Sequence, residues 1–273
     1  MSGLAWRARG WADIAGEDVA SGGALSGLGS GPAGELPAVA RRRESGYAEP
    51  VIDAHAHLDA APDVPGVEGW VVPGVDAETD ARSRALAEPG RVIVGVGLHP
   101  WFLPAMEGLP AALDDLRSRA REQRPCAIGE TGLHKGRRGA PRPVQEAAFA
   151  AQIELARELE LPLILHVVHR HGAALEMLAD FACGGLVHDF VGPTELARDW
   201  VDAGFCLSVS PRRPSAELLA AIPPERLLLE TDDAGPEALP ALLQTVAALL
   251  GESPEAVAAR TAANARRLFP GLA

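Results

Sequence analysis

Eight short apolar runs, spaced along the chain and alternating with segments of helical pattern, constrain this sequence more than any other feature. They cover residues 51–58, 69–75, 92–97, 126–130, 163–167, 185–190, 205–210 and 227–231. Between them lie Ala-, Leu-, Glu- and Arg-rich segments such as 109–123, 144–160, 172–181 and 194–202. A strand that is apolar on both faces is covered on both faces, which is the condition of a parallel sheet wrapped in helices. Eight such strands over about 220 residues fit an α/β fold of the (β/α)8 TIM barrel type, with functional residues at the C-terminal ends of the strands. An open, doubly wound sheet is the alternative, but no glycine-rich nucleotide loop follows the first strand. The helical tail over residues 236–269 is expected to close the barrel.

The first fifty residues do not share the pattern. Residues 21–34 are mostly Gly, Ser, Ala and Leu, and Arg41, Arg42 and Arg43 follow. No apolar periodicity survives that glycine density, so residues 1–50 read as a flexible extension and 51–273 as the folded body. Arg7 and Arg9 raise the competing idea of a targeting segment. No continuous apolar stretch follows them, however, and acids come early, at Asp13, Glu17 and Asp18. A start codon placed too far upstream gives the same pattern. No stretch approaches the roughly 18 apolar residues of a membrane span. Cys126, Cys183 and Cys206 are too scattered for a disulfide scaffold, which suits a reducing cytoplasm. The formal net charge of -12 speaks against stable binding to duplex nucleic acid. It leaves a small anionic substrate or a nucleic-acid strand end as the expected partner.

Polar residues interrupt the apolar runs at their ends. The first run holds Asp53-Ala54-His55-Ala56-His57, and strand alternation puts His55 and His57 on one face, as a metal ion requires of two imidazoles. The fourth run ends in Glu130, the fifth is followed through His166, the sixth contains His188, and Asp232 follows the eighth. A lone histidine on an apolar strand is ordinarily a hydrogen-bonded core residue, and Asp232 taken alone is a helix cap. Together, four histidines and two carboxylates at the ends of five barrel strands point to a metal centre. Imidazole with carboxylate suits divalent ions such as Zn, Mn or Mg, and six ligands suit two ions sharing one group.

The segments 52–58 (IDAHAHL), 97–100 (GLHP), 127–133 (AIGETGL) and 230–232 (ETD), with 145–149 and 161–166, resemble the TatD family of metal-dependent hydrolases. That family belongs to the amidohydrolase superfamily of TIM barrels. The likeness runs in order over residues from about 51 to 270. It implies that His55, His57 and Asp232 hold one metal, that His166 and His188 hold a second, and that Glu130 bridges them. Such a pair acidifies a shared water and clamps developing oxygen charge. Asp232 then serves as general base, and His99 matches a motif histidine near the substrate. The resemblance further implies deoxyribonuclease activity, largely exonucleolytic.

The departures from the family lie around the metals. His134 stands where Asp is usual, and Val167 and Val168 follow His166 where an Arg is common. Asp189 replaces Cys or Trp, and the loop after Asp232 is shortened. Lys135, Arg137, Arg138 and Arg142 after Glu130, and Arg212 after the seventh run, are expected on the active-site face. There, basic side chains steer an anionic substrate or simply solvate a loop. His134, Lys135, Arg137 and Arg212, with His99, are the candidate substrate contacts. Trp101 and Phe102 either stack a base or cover a helix end. Phosphodiester cleavage of 3′-5′ exonuclease type is the leading expectation. The same metal chemistry on a C–N or ester bond of a small acidic molecule is the second, and a non-catalytic subunit of a larger complex the third.

Overall fold

In the computed structural model, which describes residues 50–273, every one of the eight apolar runs yields a strand. These are β1 (Val51–Asp53), β2 (Val67–Val72), β3 (Val92–Val94), β4 (Ile128–His134), β5 (Leu163–Val168), β6 (Gly185–Val187), β7 (Phe205–Val209) and β8 (Leu227–Leu229). Residues 1–49, where the flexible extension is expected, lie outside the described part. All pairings are parallel, in the orders β1-β2-β3 and β4-β5-β6-β7-β8. Backbone hydrogen bonds join the two sets at both edges. Cys126 N donates to Val94 O at 2.9 Å and Gly129 N to Val96 O at 2.9 Å. Across the other seam, Ala54 N donates to Leu229 O at 2.9 Å and Asp232 N to His55 O at 2.9 Å. The sheet therefore closes on itself as a TIM-type α/β barrel, which leaves no edge strand unpaired.

The helices are α1 (Ala77–Leu86), α2 (Leu109–Gln123), α3 (Arg142–Leu159), α4 (His171–Met177), α5 (Thr194–Asp202), α6 (Ala216–Ala221), α7 (Leu239–Leu250) and α8 (Pro254–Leu268). The tail divides at Gly251, whose φ of +68° ends α7 in a left-handed turn. Among the described residues no helix separates β1 from β2. The last helix, α8, packs on β1 and β8, the two strands of the closing seam. No helix among the described residues is long and apolar enough to cross a membrane.

Alternation along the strands sorts the core into two layers. Leu163, Leu165, Val187, Leu207 and Leu229 belong to the cluster shared with the helices. Ile52, Val71, Ile93, Ile164, Leu186, Cys206 and Leu228 form a separate cluster, which Ala262, Ala265 and Phe269 complete. This second set fills the barrel.

The strands differ from the apolar runs at their ends. β1 stops at Asp53, and beyond it pairing continues only as single contacts, with Ala56 N donating to Val71 O at 3.0 Å and an isolated bridge from Ala56 to Asp232. β4 corrects the expectation that its strand finishes at Glu130, for pairing with β5 continues to His134.

Candidate metal centre

The barrel's inner layer positions the polar groups. Two residues beyond Ile164, Leu186 and Leu228, on the same strand face, stand His166, His188 and Glu230. Glu130 reaches the same centre through an irregularity. Ile128 pairs with Leu163 but Thr131 with Leu165, so β4 carries one extra residue at Gly129-Glu130. A bulge of this kind turns a side chain out of its expected direction. Two glycines make room for it. A Cβ on Gly129, whose φ is +148°, meets Ile164 O at 2.3 Å, and one on Gly97 meets the Gly129 carbonyl carbon at 2.6 Å.

Glu130 is fully buried and each of its oxygens faces a different group. Oε1 lies 3.2 Å from His55 Nε2 and 3.1 Å from His57 Nε2. Asp232 Oδ1 stands on that side too, 3.8 and 3.6 Å from the same two nitrogens. Oε2 lies 3.2 Å from His188 Nε2, 3.3 Å from His99 Nε2 and 3.6 Å from His166 Nδ1. The other five expected ligands are thus gathered around the Glu130 carboxylate.

The spacing of the donors suits divalent cations. Two nitrogens on one tetrahedral zinc are about 3.3 Å apart, given metal–nitrogen distances near 2.0–2.1 Å. His55 Nε2 and His57 Nε2 are 3.3 Å apart, and His166 Nδ1 and His188 Nε2 are 3.0 Å apart. Neither Glu130 oxygen has a hydrogen bond among the described residues, a costly state for a buried carboxylate that a cation relieves.

The electrostatics follow from the crowding. Burial opposes ionisation of Glu130, yet His188, His55 and His99 hold its carboxyl well below the usual range. Burial likewise works against charge on His57, but the Glu130 carboxylate prevails and raises it to about 9. His188 is raised well above its usual value against the same penalty, again by Glu130. His166 goes the other way: burial, then His99 and His188, push it far down.

The remaining candidates separate. His99 is fully buried against Glu130, and its Nδ1 accepts from Trp101 N at 3.1 Å. That bond assigns the proton of the neutral ring to Nε2, the nitrogen that faces Glu130 Oε2. His134 lies behind a ligand, its Nδ1 3.0 Å from His166 Nε2, while Gln145 clamps its backbone from both sides. Arg212 is engaged by three carboxylates: Asp189 Oδ2 at 2.9 Å, Asp232 Oδ2 at 3.1 Å and Asp233 Oδ2 at 2.8 Å. Lys135 and Arg137 stand exposed on the loop after β4.

Two buried acids carry roles that sequence reasoning did not assign. Glu230 Oε1 accepts from Asp189 N at 2.6 Å and stands 3.7 Å from His188 Nδ1, while its Oε2 accepts from Ser208 Oγ at 2.5 Å. It backs the ligand imidazole as carboxylates commonly do in metal sites. Asp53 accepts from His55 N, Thr231 N and Thr231 Oγ1, tying the first ligand segment to the last. Period-two alternation from Asp232 back to Glu230 was the available signal for the former.

A family model described as TatD related DNase matches residues 52–270. Among curated relatives, a protein named 3′-5′ ssDNA/RNA exonuclease TatD from Erwinia billingiae is 34% identical over 232 residues, covering 75% of this chain and 88% of its own. The protein of that name from Cronobacter sakazakii is 36% identical over 231 residues, covering 75% and 87%. Among solved structures, a TatD homologue from Escherichia coli K12 superposes with a TM-score of 0.68 at 26% identity, covering 80% of this chain and 97% of its own. A TatD family hydrolase from Entamoeba histolytica shares the fold at a TM-score of 0.71 and 15% identity, covering 83% and 100%.

Proposed function

This chain belongs to the TatD-related DNase family, and on that premise we propose that it is a metal-dependent phosphodiesterase that shortens single nucleic-acid strands from the 3′ end. The observation that carries the reading is the placement of Glu130, with one oxygen toward His55, His57 and Asp232 and the other toward His166 and His188. In this reading His55, His57 and Asp232 hold one cation, His166 and His188 a second, and Glu130 both. Divalent cations held there acidify water and draw charge from the phosphoryl oxygens under attack.

The chain's own groups do the rest. Asp232 has Oδ1 on the His55/His57 side and Oδ2 on Arg212 at 3.1 Å. The ion pair on Oδ2 fixes the carboxylate, and Oδ1 faces the His55/His57 side, where the attacking water would be held and would give up its proton to Asp232. His99, with its proton on Nε2, donates to an oxygen in the centre. Glu230 and Asp53 hold the ligand segments in place. Burial of the whole group excludes bulk solvent and strengthens each of these contacts.

The test is hydrolysis of a 5′-labelled single-stranded oligonucleotide by protein loaded with Mg, Mn or Zn, with Asp232→Asn alongside. Stepwise shortening by the wild type, reduced at least about 100-fold in the variant, is expected. Absence of cleavage with all three metals overturns the reading. Two observations favour the second reading, a C–N or ester bond of a small acid: three carboxylates engage Arg212, and Val168 leaves no Arg at the usual place. Turnover of small amides or esters by protein inert toward the oligonucleotide would establish it.

A further inference from the structure

A groove of about 470 Å3 lies beside the centre, between the loops that follow β3 and β4, lined by Leu103, Pro104 and Met106 on one side and Pro141, Pro143 and Val144 on the other. Trp101 lines it too and stands next to the centre. Its ring centroid is 5.6 Å from that of His166 and 5.2 Å from that of His134. Arg138 lies over the indole, with its guanidinium carbon 5.2 Å from the ring centroid. The Arg138 Nη1 is buried, with no hydrogen-bond partner among the described residues. A guanidinium does not deprotonate, so a buried N–H left without an acceptor is a standing cost.

A ligand oxygen held in the groove would supply that acceptor. That ligand carries an anionic or carbonyl oxygen for Arg138 and a flat apolar body for an indole between proline walls. It also continues into the metal centre a few ångströms away. A nucleotide within a strand has all three features. We propose that this groove is the subsite for the penultimate nucleotide, on the strand side of the scissile phosphate. Its base lies along Trp101 and the proline-lined walls, and its phosphate or base carbonyl sits on Arg138. The proposal rests on the nuclease reading above. It also relocates the strand-gripping guanidinium, which this chain lacks at Val168, to the loop after β4.

The experiment crosses two substrates with three variants, scoring removal of the 3′-terminal nucleotide in the metal-loaded protein. One oligonucleotide is intact, and the other is abasic at the penultimate position. Stacking of one base predicts about a tenfold lower kcat/KM of the wild type on the abasic strand. Trp101→Ala is expected to lose about tenfold on the intact strand and little more on the abasic one. Trp101→Phe keeps the ring and retains the discrimination. Arg138→Gln is expected to raise KM on the intact strand about tenfold. Indifference of the wild type to the missing base, or an equal cost of Trp101→Ala on both strands, overturns the proposal. If the wild type cleaves neither strand, the nuclease reading has failed, and binding decides the groove independently. Saturable quenching of tryptophan fluorescence by a deoxynucleoside 5′-monophosphate, weakened tenfold in Arg138→Gln, supports it; quenching unchanged in that variant, or none at all, overturns it.

Discussion

Glu130 is a carboxylate surrounded by imidazole nitrogens rather than by water, and Glu130→Gln is accordingly expected to cost metal at both groups at once. Calorimetric titration of metal into the apoprotein checks this: binding confined to one lost site would show that Glu130 serves one group only. A neighbouring position tests the space that Glu130 needs. A Cβ at Gly97 meets Glu130 N at 2.9 Å and O at 2.7 Å. Gly97→Ala therefore displaces backbone, and weaker metal binding together with a lower Tm is expected. His171 sits apart from the centre, where its Nδ1 accepts from Trp200 Nε1 at 3.0 Å. Burial, with His169 nearby, pushes its pKa down to about 4. The folded protein thus holds His171 neutral where the unfolded chain protonates it, and the stability it contributes is present above pH 6.5 and lost as pH falls toward 4. Tm should fall over that window more steeply in the wild type than in His171→Gln, which keeps an acceptor for Trp200 but does not titrate. Parallel curves would contradict the assignment.

Elements inherit their boundaries from such contacts. α8 is capped by Ser253, whose Oγ accepts from Ala256 N at 3.2 Å. Asn264 on the same helix donates to Pro224 O and Leu227 O, at 2.8 and 2.9 Å. Ser253→Ala is expected to cost about 1 kcal/mol, or roughly 2–4 °C in Tm, measurable by differential scanning calorimetry. The strands were legible in the sequence because burial on both faces leaves continuous apolar runs, and the gathering of His166 and His188 with Glu130 was legible because polar residues at the ends of barrel strands converge. The end of β4 was not legible, since a bulge shifts the register and moves Glu130 from strand end to mid-strand. The fate of Arg212 was hidden for another reason. Its partners Asp189 and Asp233 come from the loops after β6 and β8, and a loop cation's partners depend on which loops the barrel sets side by side. The contact of His134 with His166 was hidden in the same way, since it follows from the pairing of β4 with β5.

The described residues form a closed ring of strands whose centre gathers the proposed ligands from β1, β4, β5, β6 and β8 or the turns just beyond them. Metal bound there favours the folded state, by about 2.7 kcal/mol per site at one hundred times Kd. Chelation of two such ions should then lower Tm by about 10–20 °C, and an unchanged Tm would mean that the donors hold no ion in the folded protein. The ring closes with β1 at Val51, so removing residues 1–48 should leave cooperative melting intact; a broad transition would place the domain boundary earlier. The closing contact has a consequence for how the protein is made. Asp53 takes hydrogen bonds from Thr231, 178 residues further on. On a ribosome adding about 5–20 residues per second, that interval is roughly 10–35 s. Throughout it, the nascent chain carries His55 and His57 just beyond a strand whose last neighbour has not yet been synthesised. The pair then has neither Asp232 nor a closed ring around it, so the complete centre is assembled only near the end of translation.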